Sequence, residues 1–156
     1  MKKGLGLLFI ALFAFVVTSL AATNGLPDDV AGYLGWHRAN AQKSFEQSAH
    51  PTAKDIYYND AAAESVMSKV FPHAEGSVFL KERTDPETLT VTTIYGMQKV
   101  AGFDSENGDW QYAVFERGED GQFGGGWMAA ADAAMCVGCH VNAKDKDYTF
   151  LSYLSN

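Results

Sequence analysis

Cysteine is scarce in this 156-residue chain: there are two, three positions apart, at 136 and 139. They cannot build a disulfide framework, because a bridge across two intervening residues would be strained and would close almost no chain. A structural zinc site needs four ligands, and no second Cys or His pair stands at short spacing. The other histidines, His37, His50 and His73, are scattered far upstream. Basic residues are also in the minority, 12 against 19 acidic, for a formal charge of −7. That balance argues against nucleic acid and anionic membrane surfaces as partners. A solvated acidic surface is its plainest explanation. No low-complexity tract, internal repeat or linker interrupts the chain.

Long apolar runs are missing too, except at the start. Lys2 and Lys3 precede Gly4–Val17, a run of about 14 residues, short of the roughly 20 that a spanning helix needs. This is the length of a signal-peptide hydrophobic region. Ser19 and Ala21 supply the small residues that a signal peptidase reads, which favours cleavage after Ala21 or Ala22. The expectation is a signal peptide over 1–21, with an uncleaved anchor as the alternative, and no membrane contact after cleavage. Removing Lys2 and Lys3 leaves the mature chain more acidic. Residues 22–156, about 135 in number, suit one domain with one core.

What is there is concentrated near the end of the chain. Cys136-Val137-Gly138-Cys139-His140 is the attachment signature of a c-type haem. Two thiolates at this spacing can each form a thioether with a haem vinyl group, and the adjacent His140 can supply the proximal imidazole to iron. A thioredoxin-like dithiol would need the motif at a helix start after a buried strand. Here Met128–Met135, rich in alanine, reads as helix. Covalent haem attachment happens outside the cytoplasmic membrane, so the export signal and the motif support each other, and a periplasmic location follows. A basic redox partner protein is compatible with the acidic surface.

The rest of the chain reads as α+β: a largely antiparallel β-sheet with an N-terminal helix and a C-terminal helix carrying the haem motif. Val30, Tyr33, Leu34, His37, Ala41 and Phe45 recur at mostly three- and four-residue steps, which predicts a helix over about Val30–Phe45. Lys54–Tyr58 reads as a strand. Asn59 or Asp60 can cap a helix over Ala61–Val70. Gly76–Arg83, Leu89–Lys99 and Trp110–Arg117 are strand candidates. In the last, Trp110, Tyr112, Val114 and Glu116 alternate with Gln111, Ala113, Phe115 and Arg117. Asn107-Gly108-Asp109 is turn chemistry, and Asp120 to Gly126 reads as a flexible connection. Small all-helical cytochromes generally carry the haem motif near the N-terminus; this chain does not.

Four segments together resemble the cytochrome P-460 family: the late Cys136–His140 motif, Ala143–Phe150, Pro72–Lys81 with its Gly-x-Val-x-x-Lys order, and Glu106–Tyr112 with Asn-Gly-Asp-Trp. The resemblance runs from about Asp55 to Phe150. It implies a β-rich fold, often a homodimer, and one five-coordinate haem c. It also implies one of two functions. Cytochromes P-460 oxidise hydroxylamine and carry an extra covalent bond from a lysine to the haem. The related cytochromes c-prime-beta lack that bond and bind nitric oxide or carbon monoxide in an apolar pocket.

By position in that pattern Lys81 corresponds to the cross-linking lysine; otherwise it is an exposed strand lysine beside Glu82 and Arg83. Active members use a distal carboxylate shortly before the haem motif. Asp132 is the only carboxylate between Gly126 and Cys136, and an ordinary surface aspartate is the competing reading. If the equivalent position is an alanine such as Ala131, the base is missing and gas binding is favoured. Met67, Met97, Met128 and Met135 are candidate sixth ligands, which would make a plain electron carrier; lone methionines more often fill cores. Phe71, Phe79, Phe103, Phe115 and Phe123 could cap the distal side, although most must be core. Phe79 shares a strand face with Lys81, Arg83 could pair with a propionate, and Tyr148, Phe150 and Tyr153 are expected to pack the chain end onto the haem helix.

Overall fold

Side chains alternate across the pleat of a strand, so each strand of this chain divides its residues between two faces, and both faces are covered. The computed structural model describes residues 24–45, 50 and 53–150. Its strands are β1 (His37–Arg38), β2 (Ile56–Tyr58), β3 (Val78–Thr84), β4 (Val91–Lys99), β5 (Trp110–Arg117) and β6 (Phe123–Trp127). They form one sheet in chain order, every neighbour antiparallel. Two α-helices, α1 (Asp60–Ser68) and α2 (Ala134–His140), complete an α+β architecture. Among the described residues no helix is long and apolar enough to cross a membrane. The expected signal peptide lies outside the described residues.

One face of the sheet carries Val78, Leu80, Ile94, Ala113 and Phe115, closed over by Leu26, Val30 and Tyr33 from the N-terminal segment. The other carries Phe79, Met97, Trp110 and Tyr112. Cross-strand register makes these neighbours: Phe79 pairs with Met97 and Met97 with Tyr112. Ala62 and Val66 of α1, together with Ala133, Cys136, Val137 and Tyr148, cover this second face. The α2 helix and its cysteines therefore sit on the sheet.

Helix α1 starts where a cap is available. The Asn59 side-chain oxygen accepts from the Ala62 N–H at 3.3 Å and from the Val78 N–H at 3.0 Å, so one residue both caps the helix and ties it to β3.

Three elements differ from expectation. Residues 30–45 form a turn, a 3-10 helix at Tyr33–Gly35 and strand β1, and no α-helix. Gly32 and Gly35 would each cost a helix about 1 kcal/mol, whereas the observed path lets the segment bond outward. The Tyr33 hydroxyl donates to Glu82 Oε1 at 2.7 Å, Arg38 Nε donates to Asp55 Oδ1 at 3.1 Å, and Lys43 Nζ lies 2.5 Å from Asp55 Oδ2. The glycine-rich connection after Asp120 contains strand β6, which pairs Gly124, Gly125 and Gly126 with Glu116, Phe115 and Val114. Gly125 has φ of +108°, and a Cβ there would fall 2.2 Å from the Val114 carbonyl oxygen, so the strand requires the residue that hid it. Finally, Met128 still donates to the Tyr112 carbonyl at 2.8 Å. The chain must then reverse through a 3-10 turn at Ala130–Asp132 before α2 begins at Ala134.

Candidate haem site

Positions three and four apart share a helix face, so α2 aims Cys136, Cys139 and His140 in related directions, and all three are half-buried. Both thiols are free. Burial pushes the Cys136 thiol above its ordinary value, whereas a dithiol oxidoreductase needs its attacking thiol depressed. Among the described residues no group of three or more His, Cys, Asp or Glu converges as a metal-ligand set. A raised thiol does not favour thiol exchange.

His140 is the informative residue. Its Nδ1 lies 2.8 Å from the Tyr148 carbonyl oxygen. A carbonyl can only accept, so Nδ1 carries the proton and Nε2 keeps its lone pair. Burial holds the imidazole below its ordinary pKa, the Tyr148 carbonyl opposes this, and the charge of Lys81 adds to it. The ring stands edge-on to Tyr112 at 5.2 Å and to Phe150 at 5.3 Å between centroids. A neutral, oriented imidazole with an oriented N–H partner is what a metal-ligating histidine requires.

Lys81 projects from β3 on this same face, opposite Ile56 of β2 and Tyr95 of β4. Burial, with the charge of Lys54 adding to it, brings its ammonium down to about 8, while Cys139 pulls the other way. A half-buried amine titrating there is a usable nucleophile near neutral pH. Glu82, its neighbour in sequence, points to the opposite face and accepts from Tyr33. Phe79 shares the Lys81 face, as alternation requires.

The structure thus gathers Cys136, Cys139, His140 and Lys81 into one neighbourhood. Asp132 is exposed on the 3-10 turn before α2 and makes no hydrogen bond or ion pair to those four residues. Met67 and Met135 are 73% and 89% exposed, whereas Met97 is buried between Phe79 and Tyr112. Phe115 and Phe123 belong to the opposite face. Phe71 stacks edge-on against His73. Tyr148 and Phe150 pack at the haem helix as expected; Tyr153 lies outside the described residues.

Sequence reasoning missed two members of this neighbourhood. Lys54, 1% exposed, reaches it because β2 pairs with β3, and His50 lies 3.9 Å from the Tyr95 ring. Burial, then the charges of Lys81, His140 and Lys54, push His50 down to about 4. Strand alternation through Lys54, Ile56 and Tyr58 was the available signal for the first; nothing in sequence pointed to the second.

Two thiols and a correctly tautomerised imidazole on one helix, seated on an aromatic sheet face, fit a haem, and the class they define is a haem-binding cytochrome. The family model for Cytochrome P460 matches residues 30–151. The chain belongs to the cytochrome P460 family. Among curated proteins no sequence matches it.

Proposed function

We propose that this is an exported, periplasmic cytochrome that binds one haem c through Cys136 and Cys139, with His140 as the single protein ligand to iron and the opposite coordination position open to a small nitrogenous molecule. The observation that carries the reading is the His140 Nδ1–H bond to the Tyr148 carbonyl, because it leaves Nε2 as the available donor next to both thiols. Haem, when bound, supplies an iron that accepts electrons and binds small ligands such as hydroxylamine or nitric oxide.

The residues of the chain do the rest. Cys136 and Cys139 fix the macrocycle covalently, and His140 sets its orientation. In the hydroxylamine-oxidising reading, Lys81 would be the residue linked to the macrocycle, its nitrogen taking the place of a ring hydrogen with a two-electron oxidant removing the electrons; Asp132 would accept the substrate's protons, and electrons would pass to another periplasmic protein. Exposure of Met67 and Met135 and the packing of Met97 between Phe79 and Tyr112 disfavour these three as sixth ligands, so the plain electron carrier would have to use Met128. A second reading rests on Asp132: its exposed place on the turn favours a gas-binding protein without a distal base.

The test is the absorption spectrum of the reduced, purified protein. A high-spin spectrum supports the open position, and a Soret band well to the red supports the Lys81 bond. A low-spin six-coordinate spectrum refutes the open position, and a colourless protein from a host competent in haem attachment refutes the whole reading. Mass spectrometry of Lys81→Ala decides the bond separately, since an unchanged number of protein–haem bonds excludes it.

A further inference from the structure

The carbonyl that bonds His140 belongs to a turn whose backbone is held in an unfavourable shape. Asp147 and Tyr148 both have positive φ, 50° and 63°, which costs a non-glycine residue about 1 kcal/mol or more each. Such a turn persists only where its surroundings fix it, and here the fixing groups are identifiable. Lys99 Nζ, from the end of β4, donates to both Asp147 oxygens at 2.8 and 2.7 Å. The backbone N–H of His73 donates to Asp147 Oδ2 at 2.8 Å. On the other side of Tyr148, Thr149 Oγ1 lies 2.9 Å from His73 Nε2. The Lys99 and Asp147 side chains are 14% and 8% exposed, so water screens the pair little. Lys99 also donates to the Gly108 carbonyl at 3.0 Å.

We propose that Asp147, clamped by Lys99 and the His73 backbone, is a positioning residue that holds the Tyr148 carbonyl against His140 and so sets the donor strength of the iron's ligand. The inference rests on the reading of His140 as that ligand. A hydrogen bond from Nδ1–H to a fixed acceptor makes the imidazole more electron-rich and fixes its plane. Loosening the clamp weakens that bond without removing any group that touches the haem.

The experiment uses the haem-loaded protein in three variants: Asp147→Asn, Lys99→Met and Lys99→Arg. The readouts are the iron–histidine stretching band of the reduced protein by resonance Raman spectroscopy and the reduction potential. Asp147→Asn and Lys99→Met should both lower the band frequency, Asp147→Asn should also raise the potential, and Lys99→Arg should stay near wild type in both; in Lys99→Met the lost cation opposes the rise, so the band decides. If Asp147→Asn yields no folded product, Lys99→Met carries the test alone. Folded, haem-loaded variants with wild-type band and potential overturn the inference. A His140→Gly variant that keeps the band refutes the ligand assignment instead, and a wild-type protein that lacks it refutes the five-coordinate reading on which the inference rests.

Discussion

Acidifying this protein from about pH 7.5 to about pH 5 should cost its folded state about 2 kcal/mol through His73 alone. His73 is 2% exposed. Burial pushes its pKa from 6.5 to about 4; Lys99 adds to the depression and Asp147 opposes it. The unfolded chain therefore binds the proton more tightly. The stability contribution is complete above pH 6.5 or so and falls away as pH drops towards the folded value. The full penalty, below both values, is about 3 kcal/mol at 1.36 kcal/mol per unit, and about 2 kcal/mol of it has accrued by about pH 5. His50 is displaced in the same direction, so it adds to the slope. The assay is urea unfolding of wild type and His73→Gln at both pH values. Glutamine keeps one donor and one acceptor but does not titrate, so the variant should lose less stability on acidification, by about 2 kcal/mol. Most carboxylates titrate below this window. Equal slopes for the two proteins would refute the assignment of a buried, neutral His73.

Three further outcomes follow from the same packing. Asp55→Ala strips Arg38, Asn40 and Lys43 of their shared acceptor and should cost about 2–3 kcal/mol in urea unfolding at neutral pH, the low end for a buried pair because Arg38 and Lys43 are partly exposed. Burial raises the Asp55 carboxyl, but hydrogen bonds from Lys43 and Arg38 outweigh it and hold the group below its ordinary value. The gap between variant and wild type should therefore close only as pH falls through that depressed value; a loss below about 0.5 kcal/mol would contradict the role. Gly108→Ala places a Cβ 2.6 Å from the Tyr148 ring at a φ of +76° and should cost about 2–4 kcal/mol, strain and overlap together, read by thermal unfolding. Haem should survive denaturing extraction in wild type and in either single cysteine variant, and be lost when Cys136→Ala and Cys139→Ala are combined on a Lys81→Ala background.

Strand β5 was legible to its ends because Trp110–Arg117 alternates without a break and both faces are apolar. The same alternation placed Phe79 and Lys81 together, and the haem motif announced itself by spacing. Elsewhere local signals misled. Val30, Tyr33 and Phe45 recur at helical steps, yet β1 pairing and the bonds to Glu82 and Asp55 decide the path of that segment, and those partners lie far along the chain. Three glycines in β6 carry no side-chain pattern; what selects them is the approach of the β5 backbone. The clamp on His140 was invisible for a deeper reason: its acceptor is a main-chain oxygen, and its fastenings, Lys99 and His73, lie 48 and 76 residues or so from the turn they hold. The fold class survived these misreadings because enough strands were correct.

Strand order in the sheet equals strand order in the chain. Each strand pairs with the one before it, so the closures within the sheet stay short, while the segments that cover its two faces come from far along the chain. The helix that carries the paired cysteines comes after all six strands and lies on a platform they build. The two sulfurs and the imidazole thus follow every strand of the sheet in the chain, and the Tyr148 turn that bonds the imidazole follows them.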